Sequence, residues 1–187
     1  KLFITGIGTD VGKTIASSII TEALEADYWK PIQAGDLENS DSHKIQSFIR
    51  NCKTVIHPNS YQLNTPASPH LAAEIDGITI DLTKITAPET SNHLVIEGAG
   101  GLFVPINNDD CIIDLIQPDY KVIVALKNRK IAIAGIIFSG EENKATESII
   151  LHKTGVKCIG RIEQEPYFDQ NVIREYADQF RENLLKL

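Results

Sequence analysis

The chain has 187 residues, of which 42% are hydrophobic and 23% charged, with a formal net charge of −7. That length suffices for one full-sized core, and the acidic balance argues against nucleic-acid binding through a broad basic face. No apolar run reaches the roughly 20 residues of a bilayer-spanning helix, and Cys52, Cys111 and Cys158 are odd in number and lack metal spacing, so they read as reduced thiols of a cytoplasmic protein.

Leu2-Phe3-Ile4-Thr5 reads as a short buried strand, with no charged-then-apolar leader before it. Gly6-Ile7-Gly8-Thr9-Asp10-Val11-Gly12-Lys13-Thr14 follows, and 15–24 reads as a helix. A strand, a glycine-rich turn and a helix that starts at Gly-Lys-Thr form the context of a phosphate-binding loop. Glycines let backbone N–H groups curl around a phosphate, and the helix N-terminus adds its positive dipole end. Lys13 is then placed to reach the β- and γ-phosphates, and the Thr14 hydroxyl to sit on Mg²⁺. The spacing Gly6-x5-Gly12 is one residue longer than the usual loop. A turn that merely contains Gly-Lys-Thr is the bland alternative, and the strand–turn–helix context favours the nucleotide site.

Further along, Tyr28-Trp29-Lys30 reads as a second buried strand that ends in the loop Pro31–Gly35, and 41–49 as a helix capped by Ser40 or Asn39. A turn-rich loop at 65–70 precedes a helix over 71–74, and 78–85 fits strand or helix, with helix favoured in its later part. His93–Glu97 reads as a buried strand that ends on an acid, with Gly98–Gly101 outside regular strand. The C-terminal end of a strand is where α/β sheets bind ligands. A short helix over 111–116, strands at 121–125 and 131–138, a helix over 141–152, a strand at 156–160 and an amphipathic helix over 168–187 complete the chain. This alternation predicts one α/β domain over residues 1–187: a doubly wound, mainly parallel sheet with helices on both faces, like that of P-loop NTPases.

The strands at 121–125 and 131–138 are apolar after Lys121, as parallel central strands are. Only five residues separate them, with no glycine for a hairpin, whereas a parallel crossover takes a dozen or more. Two readings stay open here: about 15–20 residues are missing near 125–131, or the chain carries a real deletion.

Several stretches together resemble the dethiobiotin synthetase family. They are Thr5–Thr14, Lys30-Pro31-Ile32-Gln33-Ala34-Gly35, Asn39-Ser40-Asp41, Ser68-Pro69-His70, Glu97–Gly101 with Val104-Pro105, and Asp114-Leu115. They run in family order over most of residues 1–125. The resemblance implies an ATP- and Mg²⁺-dependent cytoplasmic enzyme that joins CO₂ to 7,8-diaminopelargonic acid and closes a cyclic urea, releasing ADP and phosphate. It also implies a homodimer in which the substrate tail reaches the partner chain.

The resemblance assigns roles residue by residue. Lys13, Lys30 and Thr9 act on the transferring phosphoryl group and carbamate. Gly8, Thr9, Asp10, Val11, Gly12, Lys13 and Thr14 hold the nucleotide, with Glu97, Gly98 and Gly100 across from them. Thr14, Asp41 and Glu97 supply hard oxygens for Mg²⁺. Asp41 also suits a plain helix start, and His70 suits a capping role as well as a substrate-lining one. Three positions depart from the family pattern: Ala34 where a hydroxyl residue is common, Ser139 where some members read adenine with asparagine, and Glu163 where proline is usual. Two rivals are weighed. A MinD/ParA-like ATPase switch would carry a second lysine where Gly8 stands, and an ATP-dependent amidase would need a partner domain.

Overall fold

The computed structural model describes residues 1–6, 8, 11–123 and 133–187, without the Thr146 side chain. Strand β1 (Leu2–Gly6) leads through the glycine turn into helix α1 (Lys13–Leu24). There follow β2 (Asp27–Trp29), β3 (Ile32–Ala34), α2 (Asp41–Phe48), β4 (Ile56–His57), β5 (Tyr61–Leu63) and α3 (Pro69–Asp76). The rest is β6 (Leu94–Gly101), β7 (Lys121–Ile123), β8 (Ile133–Ser139), α4 (Lys144–Thr154), β9 (Cys158–Ile162) and α5 (Gln170–Leu185). Seven strands form one sheet in the order β4-β2-β6-β1-β7-β8-β9, and the pairings between those strands are all parallel among the described residues. The strands β3 and β5 pair separately, also in parallel.

The pleat sorts the core into two layers, because successive strand residues point to opposite faces. Leu2 and Ile4 of β1, Tyr28 of β2 and Val95 of β6 pack with Ile19 and Ile20 of α1 and Phe180 of α5. Their neighbours Phe3, Trp29, Leu94 and Ile96 pack on the other face with Ala72 and Ala73 of α3 and with Ile112. Each central strand is therefore apolar on both sides, which gives the continuous apolar runs of a buried parallel sheet. By the same alternation Lys30 and Glu97 continue the rows of Tyr28 and Val95, on the face that carries α1.

Four local expectations are corrected. Gly98–Gly101 belong to β6. Against β1, Ile4 faces Glu97 while Gly6 faces Gly101, so β6 uses four residues where β1 uses two, and the surplus is absorbed as a bulge. Gly100, at φ 72°, supplies the left-handed backbone this requires. Ile32–Ala34, read as loop, pairs with Tyr61–Leu63. The stretch 78–85 forms only a 3₁₀ turn at Leu82–Lys84, started by the Asp81 carboxylate accepting from Thr83 N. Residues 111–116 likewise give a 3₁₀ turn at Ile112–Leu115 rather than an α-helix. In both, the i→i+3 geometry suits a single turn held from outside.

The capping of α2 by Ser40 is as expected: Ser40 Oγ accepts from His43 N, and His43 Nδ1 accepts from Ser40 N. Strands β7 and β8 pair in parallel, with Val122 opposite Ile133, so a hairpin between them is excluded. The expected crossover at 124–132 lies outside the described residues. Among the described residues no helix is long and apolar enough to cross a membrane.

Candidate functional site

The site lies where the C-terminal ends of β1, β2 and β6 meet the start of α1. Gly12 stands just before the first helical residue at φ 84°, a left-handed backbone that L side chains resist, so the turn into α1 requires glycine. Lys13 opens the helix, and its Nζ folds back to donate to the carbonyl of Gly8. This holds the ammonium over the loop. Val11 is exposed at the loop's outer side. Thr9 and Asp10 lie outside the described residues.

Four side chains from four elements converge beside that loop. The Thr14 hydroxyl of α1 donates to Glu97 Oε1 of β6 at 3.0 Å. Lys30, one residue past β2, pairs through Nζ with Asp41 Oδ2 at the first position of α2 and lies 3.6 Å from Glu97 Oε1. Lys30 and Glu97 are buried, the latter 1% exposed. Burial alone pushes the Lys30 ammonium down, but the Glu97 and Asp41 carboxylates outweigh it, and its pKa stands above the ordinary lysine value. Burial likewise pushes the Asp41 acid up, while Lys30, helped by Lys44 and Thr14, holds it below the ordinary carboxylate range. At neutral pH Lys30 is thus a fixed cation rather than a base.

These groups line a cavity of about 730 Å³, with Gly12, Lys13 and Thr14 on one wall and Ala34, Ser68 and Pro69 on another. Ala99 and Gly100 of the bulged end of β6 close a further side. Gly98 sits deeper: a Cβ there would come within 3.1 Å of the Phe3 ring and 3.2 Å of Ile112. The His70 Nδ1 lies 3.2 Å from Ser68 Oγ at the protein surface. Ser139, at the end of β8, stands behind the loop: its Oγ is 3.6 Å from where a Cβ of residue 12 would be.

The oxygens present suit a hard divalent cation. Two carboxylates and one hydroxyl gather around the Lys30 ammonium, with Lys44 beside Asp41, and Mg²⁺ favours such oxygens completed by water and phosphate. Among the described residues no group of three His, Cys, Asp or Glu side chains is placed to hold a metal ion.

Sequence reasoning missed two participants. Lys44, one turn into α2, lies 3.7 Å from Asp41 Oδ1 and 3.1 Å from Asp36 Oδ2. Its spacing of three from Asp41 was the available signal. Tyr28, fully buried, donates its hydroxyl to Glu97 Oε2 at 3.0 Å. Its position two residues before Lys30, on the same face of β2, was the signal there.

Comparison with known proteins adds to this picture. A family model described as an AAA domain matches residues 1–125 and 120–172. A protein of Christiangramia forsetii is 53% identical, covering 99% of this chain and 98% of its own length. One of Cytophaga hutchinsonii is 42% identical over 98% of both chains, and one of Afipia carboxidovorans 42% identical over 87% of this chain and 86% of its own. All three bear the name ATP-dependent dethiobiotin synthetase BioD. The Christiangramia alignment runs over 202 positions against 187 residues in this chain, so the relative carries residues without a counterpart here.

Proposed function

The chain belongs to the ATP-dependent dethiobiotin synthetase family, and from that premise we propose how its own residues carry the reaction. The enzyme is an ATP-dependent cyclo-ligase that forms the cyclic urea of dethiobiotin from 7,8-diaminopelargonic acid and CO₂. One substrate amine attacks CO₂ and loses a proton, giving a carbamate. A carbamate oxygen attacks the γ-phosphorus as the bond to ADP breaks. The second amine then attacks the carbonyl carbon of the mixed anhydride, loses its proton and expels phosphate, and the ring closes.

Phosphoryl transfer of this kind asks the protein for position and for charge stabilisation more than for covalent chemistry. Lys13 and the backbone of Gly8, Val11 and Gly12, with Thr9 and Asp10 between, grip the phosphates. Thr9 would also act on the carbamate. Lys30 offers its ammonium between the carbamate and the γ-phosphate, and Gly100 lets backbone approach the diamine. Thr14, Asp41 and Glu97 would hold Mg²⁺, which neutralises phosphate charge when bound. A partner-regulated switch ATPase is not favoured.

The observation that carries this reading is the buried Lys30, which pairs with Asp41 and lies beside Glu97. Its test is ADP release measured with and without the diamine and bicarbonate. Strict dependence on both is expected, and Lys30→Ala should lose on the order of 10²–10³ in turnover. Lys13→Ala should lose ATP affinity as well. Near-normal diamine-dependent turnover of Lys30→Ala would sink the assignment. The active form is a homodimer, to be checked by sedimentation equilibrium at assay concentration; a fully active monomer rules it out.

A further inference from the structure

Glu97 is the acid on which the site turns, and its two oxygens have different surroundings. Oε1 meets Thr14 Oγ1 at 3.0 Å and Lys30 Nζ at 3.6 Å, on the cavity side. Oε2 accepts from the Tyr28 hydroxyl at 3.0 Å. Tyr28 and Glu97 are 0% and 1% exposed, so water cannot take the place of that donor. Tyr28 is not among the residues that line the cavity and meets it through Glu97. Its ring is fixed in turn by the α1 face of the core, packed among Ile19, Ile45 and Val95.

A carboxylate held at one oxygen by a rigid phenol has little freedom to rotate. Without the hydroxyl, Oε2 loses its donor inside the protein, and the Lys30 ammonium, 3.6 Å from Oε1, is the cation beside the same carboxylate. Turning toward Lys30 would draw the ammonium off Asp41 and take Oε1 away from Thr14. We propose that Tyr28 is a positioning residue that anchors one oxygen of Glu97 so that the other is presented toward Thr14 and Lys30, and that it thereby sets the affinity of the site for its divalent cation. This rests on the assignment of Thr14, Asp41 and Glu97 to Mg²⁺ given above. Outer partners of metal-binding carboxylates typically matter by 10- to 100-fold in metal affinity.

The test uses Mn²⁺ and ADP alone, with no diamine, so that failure of the synthetase reading and failure of this inference remain separate. Free Mn²⁺ is followed by electron paramagnetic resonance in the ADP complex. Tyr28→Phe keeps the ring and removes only the hydroxyl; it is expected to weaken Mn²⁺ binding about 10-fold while metal-free ADP binding is unchanged. In a Glu97→Gln background the same change should add nothing. Loss of thermal stability with Mn²⁺ affinity within twofold of the parent would mean a purely structural phenol and overturn the proposal. So would a parent that binds no Mn²⁺ with ADP. A second measurement does not depend on the variant folding. In the parent labelled with ¹³Cζ-tyrosine, one of the five tyrosine resonances should move when Mg²⁺ joins the ADP complex, and none should move in Glu97→Gln. No moving resonance in the parent also overturns the proposal.

Discussion

Lys30 keeps its proton because two acids hold it, and the same pairing makes it a stability element. Removing one partner of a buried pair leaves charge uncompensated, at about 3–5 kcal/mol. Lys30→Met, which retains the aliphatic stem, is therefore expected to lower the melting temperature at pH 7. The sign of its pH dependence follows from the two shifts. Asp41 stands below its ordinary value of 3.8 in the folded state, so its contribution is present above that value and lost as pH falls through the lower folded one. Lys30 stands above its ordinary 10.5, so its contribution is present below that value and lost as pH rises through the higher folded one. The stability gap between parent and Lys30→Met should hold steady between about pH 4 and 10 and shrink beyond both ends. A gap that widens below pH 4 in thermal melts would contradict the pairing.

Helices and strands were readable from the sequence to different degrees. The termini of α1 and α2 are encoded locally, by Gly12-Lys13-Thr14 and by Ser40 with His43, and both fall where expected. The three-residue strands β3 and β5 are not encoded that way: at such length neither has a periodicity, and only their pairing with each other defines them. The continuation of β6 through four residues that include three glycines is likewise set by the partner strand β1. The start of α5 is marked by Asp169, whose carboxylate accepts from Asn171 N and Val172 N, but the sequence pattern alone placed it two residues early. Packing between elements also makes one glycine obligatory. A Cβ on Gly160 of β9 would lie 2.1 Å from Cε1 of Phe180 on α5, and Phe180 is itself buried. Gly160→Ala must push α5 off the sheet, at a cost of about 1–3 kcal/mol. Urea unfolding should show this directly, and Gly160→Ala combined with Phe180→Leu should recover part of it. An unchanged midpoint for Gly160→Ala would refute the clash.

Across the whole molecule, short linear motifs made the chemistry legible: Lys13, Thr14, Lys30, Asp41 and Glu97 sit in fixed local patterns, and all five line one cavity. What remained hidden was long-range. Tyr28 and Glu97 are 69 residues apart, and only the placement of β2 beside β6 makes them neighbours. The strand order bears on chain length too. Strands β7 and β8 are parallel neighbours, a connection that takes a dozen or more residues, while nine residues separate Ile123 from Ile133. Peptide mapping of the protein from its native source is expected to find about 15–20 residues between Ile123 and Ile133 beyond the nine of this sequence. A peptide that runs through 124–132 unchanged would mean a real deletion.

The bulge in β6 has a consequence for redesign. Glu97 is held in register opposite Ile4, whereas Ala99 and Gly100, which border the cavity, fall in the stretch of surplus length before Gly101 rejoins β1. Slack in that stretch separates two adjustable parts of one strand. Altering the bulk of residue 99 reshapes the wall that a substrate chain would meet, while the acid and its threonine keep their spacing. A larger side chain at residue 99 would narrow the cavity from that wall alone.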